Sequence, residues 1–235
     1  MKSWQDDLLS LTTPGLSEQH VFDKIKKAAL ALEFEYCAYG IQIIFPKEKV
    51  VMLNNYPARW KSRYASANYI TTDPTVAHCK SSQVPLIWKD SIYKNTPALW
   101  EEARSAGLRH GWAQSSLDAF GVGGMLTLSR SAQALSKKEI EYSEIRMRWL
   151  VSVAHVSLSK IINERFTDTP EIKLTTREKE VLKWTGNGKT SSEISYLLAI
   201  SENTVNFHIK NTILKLSAAN KTAAVVQAFA MGLLN

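Results

Sequence analysis

Aromatic side chains are concentrated between residues 56 and 111, together with an aspartate and a glycine. The set comprises Tyr56, Trp60, Tyr64, Asp73, Trp88, Trp100 and Gly111. Aromatic walls with a few phenol, indole and carboxylate groups suit a small ligand that has an apolar tail and several polar atoms. For each aromatic residue taken alone, a place in the ordinary core is the alternative. The set as a whole predicts a pocket for a small molecule.

A second group of polar side chains lies on a predicted helix from Ser201 to about Leu216. Its apolar stripe consists of Val205, Ile209, Ile213 and Leu216. The opposite side carries Asn203, Asn206, Lys210 and Asn211. Asparagine and lysine hydrogen-bond base edges in the major groove of DNA. A short turn separates this helix from one that ends at Leu198, which is the helix-turn-helix arrangement.

Further polar residues of this region are expected to contact DNA phosphates. They are Thr190, His208, Lys215 and Lys221. A solvated amphipathic helix in a helical bundle is the alternative. The side chains on the exposed side favour DNA binding over that alternative.

Strands interleaved with helices are predicted to hold the aromatic set. Strands are expected at 36–45, 50–53, 112–117 and 122–129, and helices at 17–32, 59–67, 74–80 and 99–106. A further helix starts at Ser136 and runs for about thirty residues. One antiparallel sheet with helices packed on it, an α/β sandwich, is therefore expected.

The C-terminal part is predicted to be entirely helical. Thr175 with Glu178 and Thr190 with Glu193 have capping-box spacing, and each pair marks a helix start. Helices through Trp184, through Leu198, from Ser201 and over 221–231 make a four-helix module. The predicted domains are 1–165 and 174–235, with a linker at 166–173 that contains Pro170.

Composition limits the class of protein. The 235 residues carry a formal charge of +7 and are 45% hydrophobic, as in a globular protein with a polyanionic partner. Nucleic acid is the first candidate partner and an acidic membrane surface the second. Two cysteines far apart fit reduced thiols in the cytoplasm. No signal peptide and no apolar run of about 20 residues is present, so a cytoplasmic protein without membrane contact is expected.

Other functional classes fit the sequence less well. An enzyme that hydrolyses lactones or esters is not expected, because the five histidines are scattered and there is no GxSxG motif. No metal site and no cofactor are predicted. A phosphorylation receiver is rejected because no aspartate ends a convincing buried strand. A purely structural interaction domain would not explain the helix-turn-helix residues.

The C-terminal motifs resemble those of the LuxR-type DNA-binding domain. They are the segment 174–182, Gly188-Lys189-Thr190, Glu193-Ile194, the segment 201–205 and His208-Ile209. The resemblance covers most of residues 174–231. It implies that Asn206 and Lys210 face the bases, that the last helix helps two copies pair, and that RNA polymerase is a candidate further partner.

The aromatic set is similar to the autoinducer-binding domain of LuxR-type quorum-sensing regulators, over about residues 17–165. The resemblance implies an α/β/α sandwich that binds an N-acyl-L-homoserine lactone and a homodimer held by the helix from Ser136 to Arg165. The apolar residues of that helix are Ile140, Trp149, Val153, Val156 and Ile161. The exact dimer seam is not readable from this pattern. A regulator without its own synthase, which answers a foreign or non-lactone signal, is the alternative.

The same resemblance assigns a role to each pocket residue. Trp60 would donate to the lactone carbonyl, Asp73 would accept from the ligand amide N–H, and Tyr56 would bind the amide carbonyl. Ser129 would lie near that carbonyl or a 3-oxo group, and Thr75 near the amide. Trp88 would pack on the lactone ring. The residues implied to line the acyl channel are Tyr64, Val76 and Leu126.

Overall fold

The computed structural model describes residues 4–43, 48–118, 122–166 and 172–234. The chain divides into two compact units, one reaching Phe166 and the other formed by the C-terminal residues. Residues 167–171 of the linker predicted at 166–173 lie outside the described residues, as do residues 44–47 and 119–121. Within the described part of the chain, no helix has the length and apolar character needed to cross a membrane.

The first unit is built on a five-stranded sheet in which each pairing is antiparallel. Its strands are β1 (Tyr36–Ile43), β2 (Lys49–Asn54), β3 (Leu86–Ile87), β4 (His110–Leu117) and β5 (Gly123–Arg130). Their order is β2-β1-β5-β4-β3. The predicted antiparallel sheet is confirmed. The two-residue strand β3 was not predicted, because two residues are too few to show an alternating pattern.

Helices cover both faces of this sheet. They are α1 (Trp4–Leu9), α2 (Glu18–Ala31), α3 (Ala58–Ser66), α4 (Pro74–Ser81), α5 (Pro97–Ser105) and α6 (Lys137–Phe166). All but α1 were predicted. Helices α1, α2 and α6 share one hydrophobic core with the sheet, and α3 and α5 contribute to a second cluster. The α/β/α sandwich implied by the family resemblance is therefore confirmed.

The period of two along each strand separates the two faces. In β1, Cys37, Tyr39 and Ile41 enter the core formed with α2 and α6. Ala38 and Gly40 face the other way. A shift of the strand register by one residue would exchange these two sets of side chains. The register therefore determines which side chains face the core and which face the opposite side of the sheet.

Helix α6 is fixed at its start by a buried cation. Arg130 is 5% exposed and forms two hydrogen bonds with the Glu139 carboxylate, at 2.6 and 2.8 Å. Glu139 also accepts from the Ser136 backbone, whose side chain accepts from the Glu139 N–H. A capping box is therefore present at the helix start predicted at Ser136, and Arg130 ties it to the end of β5.

The described residues of the second unit form four helices: α7 (Thr176–Gly186), α8 (Ser191–Leu198), α9 (Glu202–Leu216) and α10 (Lys221–Ala230). Both predicted capping boxes, at Thr175 and at Thr190, are present. Ala199 adopts a left-handed conformation that ends α8, and Ser201 caps α9. Two helices joined by this short turn form the predicted helix-turn-helix.

Candidate functional site

A cavity of about 370 Å³ lies between the sheet and the helices α3, α4 and α5. Seven of the nine predicted ligand contacts line it. They are Tyr56, Trp60, Tyr64, Asp73, Thr75, Val76 and Trp88. The cavity therefore brings together residues that are up to 32 positions apart in the sequence.

Asp73 is the buried carboxylate of the cavity and also caps α4. Its Oδ1 accepts from the backbone N–H of Thr75 at 2.8 Å and from the Thr75 hydroxyl at 2.7 Å. Its Oδ2 accepts from the Tyr64 hydroxyl at 2.9 Å. Burial raises the pKa of the Asp73 carboxyl, while the hydrogen bonds from Thr75 and Tyr64 oppose the rise. A carboxylate oxygen can accept more than one hydrogen bond, so Oδ2 has capacity for a ligand donor.

Aromatic rings form the walls around this carboxylate. The Trp60 ring stacks on Tyr69, with ring centroids 6.0 Å apart, and meets Tyr64 edge-on at 5.7 Å. The Trp88 indole lies so close to Gly111 that a Cβ at that position would overlap the ring. The Trp88 indole N–H is buried and has no hydrogen-bond partner among the described residues. Gly111, which the resemblance highlighted, is therefore required for the position of Trp88.

The sheet forms an apolar floor whose residues were not predicted as ligand contacts. Its members are Ala38, Gly40, Val50, Met52, Met125 and Thr127. Gly40 lies opposite Met52 on β2 and Met125 on β5. Two small residues on β1, next to long side chains on both neighbouring strands, leave a channel across the sheet. The alternation of side chains along these strands was the sequence signal from which the floor residues could have been predicted.

Leu126 does not line the cavity, so the prediction of an acyl contact there is wrong. It is fully buried in the core on the α2 and α6 face of the sheet. Its neighbours Met125 and Thr127 face the cavity instead. Because Leu126 and Ser129 are three residues apart on one strand, their side chains point to opposite faces, and they could not both have contacted one ligand.

Ser129 is fully buried beside the cavity rather than exposed within it. Its hydroxyl has no hydrogen-bond partner among the described residues. Burial raises the pKa of the Tyr56 phenol, and the nearby Ser129 hydroxyl opposes that rise, although the two groups do not meet at regular hydrogen-bond geometry. An unpaired buried hydroxyl next to the cavity is a potential donor for a ligand carbonyl.

The helix-turn-helix presents its predicted polar face to solvent. Asn203, Asn206 and Lys210 are exposed on α9, whereas His208 and Asn211 are half-buried. Val205 and Leu216 are buried on the opposite side. Phe207, which is 59% exposed, lies among the polar residues and offers an apolar group suited to a thymine methyl.

Two hydrogen bonds modify the predicted roles on this face. The Ser191 hydroxyl, from the first turn of α8, donates to Asn206 Oδ1 at 2.8 Å. This bond leaves the Asn206 amide N–H groups available as donors. The Thr190 hydroxyl takes part in the capping box with Glu193. Lys221 is exposed at the start of α10.

Lys215 has a structural partner instead of a free position on the surface. Its ammonium group lies 2.8 Å from the Glu178 carboxylate, which is 3% exposed, and 3.3 Å from the Lys173 carbonyl. Burial acts to raise the pKa of Glu178, but the hydrogen bonds from Lys215 and Thr175 outweigh this effect and lower it. Lys215 therefore stabilises the buried Glu178 carboxylate, and its predicted phosphate contact stays a prediction.

Comparisons with known proteins match each of the two units to a known family of domains. Residues 17–158 match the model of the autoinducer binding domain, and residues 173–228 match that of the bacterial regulatory proteins of the luxR family. The chain is 45% identical over 238 residues to the transcriptional activator protein AnoR of Acinetobacter nosocomialis, with both chains fully covered. The chain belongs to the LuxR family. It is a LuxR-type transcription regulator of the quorum-sensing class, with an autoinducer-binding domain and a helix-turn-helix.

Solved structures of LuxR-family members have the same fold. The crystal structure of Escherichia coli SdiA is 35% identical, covers 99% of this chain and 98% of its own, and has a TM-score of 0.85. SdiA in complex with octanoyl-rac-glycerol is 34% identical, covers 100% of this chain and 99% of its own, and has a TM-score of 0.83. The curated relatives are named as regulators, which agrees with the prediction that this LuxR-family chain is not an enzyme.

Proposed function

We propose that this chain binds an N-acyl-L-homoserine lactone in the cavity and, as a dimer, binds promoter DNA to control transcription. The observation that carries the proposal is the combination of a buried carboxylate with an apolar channel. A carboxylate that is hidden from water needs donors, and the amide N–H of an acyl lactone supplies one. The channel over Gly40 accommodates the acyl chain of the same molecule.

Each pocket residue has a proposed contact with the lactone. Asp73 Oδ2 accepts from the ligand amide N–H, next to the Tyr64 hydroxyl that already donates to it. The Trp60 indole N–H donates to the lactone carbonyl. The Tyr56 and Ser129 hydroxyls donate to the amide carbonyl, with Thr75 close to the amide. Trp88 packs on the lactone ring.

The acyl chain is proposed to lie against residues of three strands and two helices. Val76 and Tyr64 contact it from the helical side. Gly40, Met52 and Met125 replace Leu126 as its contacts on the sheet. The exposed fractions of Val50 and Met52 are 45% and 37%, so the distal end of the channel reaches the surface.

An acylglycerol is a second candidate ligand, because a relative has been solved with octanoyl-rac-glycerol. An acylglycerol has an ester and hydroxyl groups where the lactone has an amide and a ring. The hydroxyl groups could donate to Asp73, but the ester offers no N–H. Direct competition between N-octanoyl-L-homoserine lactone and octanoylglycerol decides between them. We expect the lactone to bind more tightly, and tighter binding of the glycerol ester would favour the alternative.

Replacing Trp60 by phenylalanine tests the proposed lactone contact. Phenylalanine keeps an aromatic wall but removes the indole N–H, so affinity for the lactone should fall about 2- to 10-fold, the usual effect of one neutral hydrogen bond. Isothermal titration calorimetry measures this change. Trp184→Phe in the second unit is the control and should bind normally. Unchanged affinity of the Trp60→Phe protein would remove the indole from the proposed contacts.

The proposed dimer uses α6. Val153 faces the core of the first unit, but Tyr142, Ile145, Trp149 and Val156 are exposed. Their spacing of three, four and seven residues places them on one side of the helix. A second copy of the chain is the occupant that we propose, because paired helix-turn-helix domains read two DNA half-sites.

Ile145→Lys tests this seam. Ile145 is 74% exposed in the single chain, so lysine should not disturb folding, but an unpaired charge in a dimer interface should weaken association by at least about 10-fold. Sedimentation over a range of protein concentrations measures the dimer dissociation constant. Leu30→Lys, at a side chain that is 66% exposed on α2, is the matched control. Equal dissociation constants for the two variants would place the seam elsewhere.

A further inference from the structure

A second concave surface shares the Trp88 side chain with the cavity. It is a cleft of about 460 Å³ lined by Trp88, Lys89, Asp90, Trp100, Arg104, Arg109, His110 and Ala132. These residues come from the segment after β3, from helix α5, from the start of β4 and from the segment after β5. Nothing in the proposed lactone contacts uses this cleft, apart from the shared Trp88 ring.

The charges of the cleft are unbalanced. Lys89, Arg104 and Arg109 are cationic, whereas Asp90 is the one carboxylate among the described residues that line it. Asp90 already accepts from the Trp100 indole N–H at 2.6 Å, and the Arg104 guanidinium lies 3.7 Å away. Lys89 and Arg109 have no carboxylate partner in the described part of the chain.

Local contacts hold two of these cations, Arg104 and Arg109, in place. Arg104 lies over the Trp100 ring, with its guanidinium carbon 5.6 Å from the ring centroid. Trp100 in turn stacks on Tyr93, with centroids 4.4 Å apart and nearly parallel planes. The Arg109 side chain donates to the Arg104 carbonyl at 3.3 Å. The cleft therefore has rigid aromatic walls, and such walls concentrate the field of the charges that line them.

We infer that this cleft binds a small oxyanion, the phosphate or carboxylate group of a metabolite. Lys89 and Arg109 supply charged donors that have no protein carboxylate, and Arg104 supplies a third donor that is oriented by Trp100. An occupant would touch Trp88, whose indole also borders the cavity. The inference does not depend on which signal molecule the cavity takes.

His110 supplies a local reporter for such binding. Burial lowers the pKa of its imidazole, and the nearby Arg130, Arg104 and Arg109 lower it further. A bound oxyanion would stabilise the protonated ring, so the pKa of His110 should rise in the complex. By the same linkage, affinity for the oxyanion should increase as the pH falls through that pKa.

The test is a titration of the full chain, labelled with ¹³C at its histidine rings, with inorganic phosphate and with citrate at constant ionic strength. His110→Gln assigns the His110 signal among the five histidines. We expect a saturable shift of His110 that chloride does not reproduce. In Lys89→Gln and in Arg109→Gln, both at exposed side chains, the dissociation constant should rise about 10-fold or more.

Lys80→Gln and Lys94→Gln are the controls, because each removes a positive charge from an exposed residue outside the cleft. Both should bind the anions as the unaltered chain does. A shift that chloride produces equally well would overturn the inference, since it would report general screening. An equal loss of affinity in the controls and in the cleft variants would also overturn it.

Discussion

Replacing Asp73 by asparagine is expected to weaken binding of an N-acyl-L-homoserine lactone by about 10- to 100-fold, the usual cost of losing a hydrogen bond to a charged group. Asparagine has nearly the same size and can still cap α4 by accepting from the Thr75 N–H. Its amide nitrogen, however, would place a donor against the donors of Tyr64 and of the ligand. Calorimetry at constant pH measures the effect.

Asp23→Asn is the control for this substitution. Asp23 lies on α2 with its side chain 45% exposed and pairs with Lys26, far in sequence from the pocket residues. Its asparagine variant should bind the lactone normally, and melting temperatures without ligand should show that both variants fold. Equal lactone affinity for Asp73→Asn and the unaltered chain would contradict the proposed anchor.

Lactone affinity should depend on pH through the protonation of the Asp73 carboxyl group. Burial raises the pKa of Asp73 in the free protein, whereas an amide N–H donor favours the charged form. Ligand binding should therefore lower this pKa and release a proton. Affinity should then fall as the pH drops through the raised pKa, at a higher pH than for an ordinary aspartate. The Asp73→Asn protein should lack this dependence.

Alanine in place of Asn206 is expected to weaken binding to a cognate duplex by about 5- to 100-fold and to relax the preference for one base pair. The cognate sequence is obtained first by selection from random duplexes. Fluorescence anisotropy then measures affinity for duplexes that carry each of the four bases at each position of a half-site. Unchanged base preference at every position would exclude direct reading by Asn206.

Ser191 tests whether the hydrogen bond to Asn206 positions this side chain. Ser191→Ala should weaken binding in the unaltered chain but should add no further loss to Asn206→Ala, because Ser191 would act through the amide that is already absent. Ser192→Ala, at the adjacent exposed position, is the control. Additive losses from Ser191→Ala and Asn206→Ala would indicate an independent contact of Ser191 with DNA.

Local sequence signals predicted the helices well, because their caps are made by neighbouring residues. Thr175 with Glu178 and Thr190 with Glu193 form both reciprocal bonds of the capping box. Strand β3 and helix α1 are short, and their local patterns are correspondingly weak. Ala38 and Gly40 lack any chemical group that could mark them as site residues, and their importance depends on the long side chains that face them across the sheet.

The roles of Leu126 and Lys215 depend on tertiary contacts, which the local sequence does not show. Leu126 was placed in the pocket with Ser129, although the period of two along a strand sends them to opposite faces. Lys215 carries the positive charge expected of a phosphate contact. Its position next to the buried Glu178 carboxylate also gives it a structural role. Neither the pairing of Lys215 nor the rigid contact of Trp88 with Gly111 can be derived from local spacing.

We further propose that lactone binding in the first unit controls DNA binding by the second. The most direct measurement is the affinity of the full chain for its selected duplex, with and without saturating N-octanoyl-L-homoserine lactone. We expect the lactone to tighten DNA binding by about 5- to 150-fold, the range of typical allosteric coupling. Equal affinity with and without this lactone, and with lactones of shorter and longer acyl chains, would contradict it.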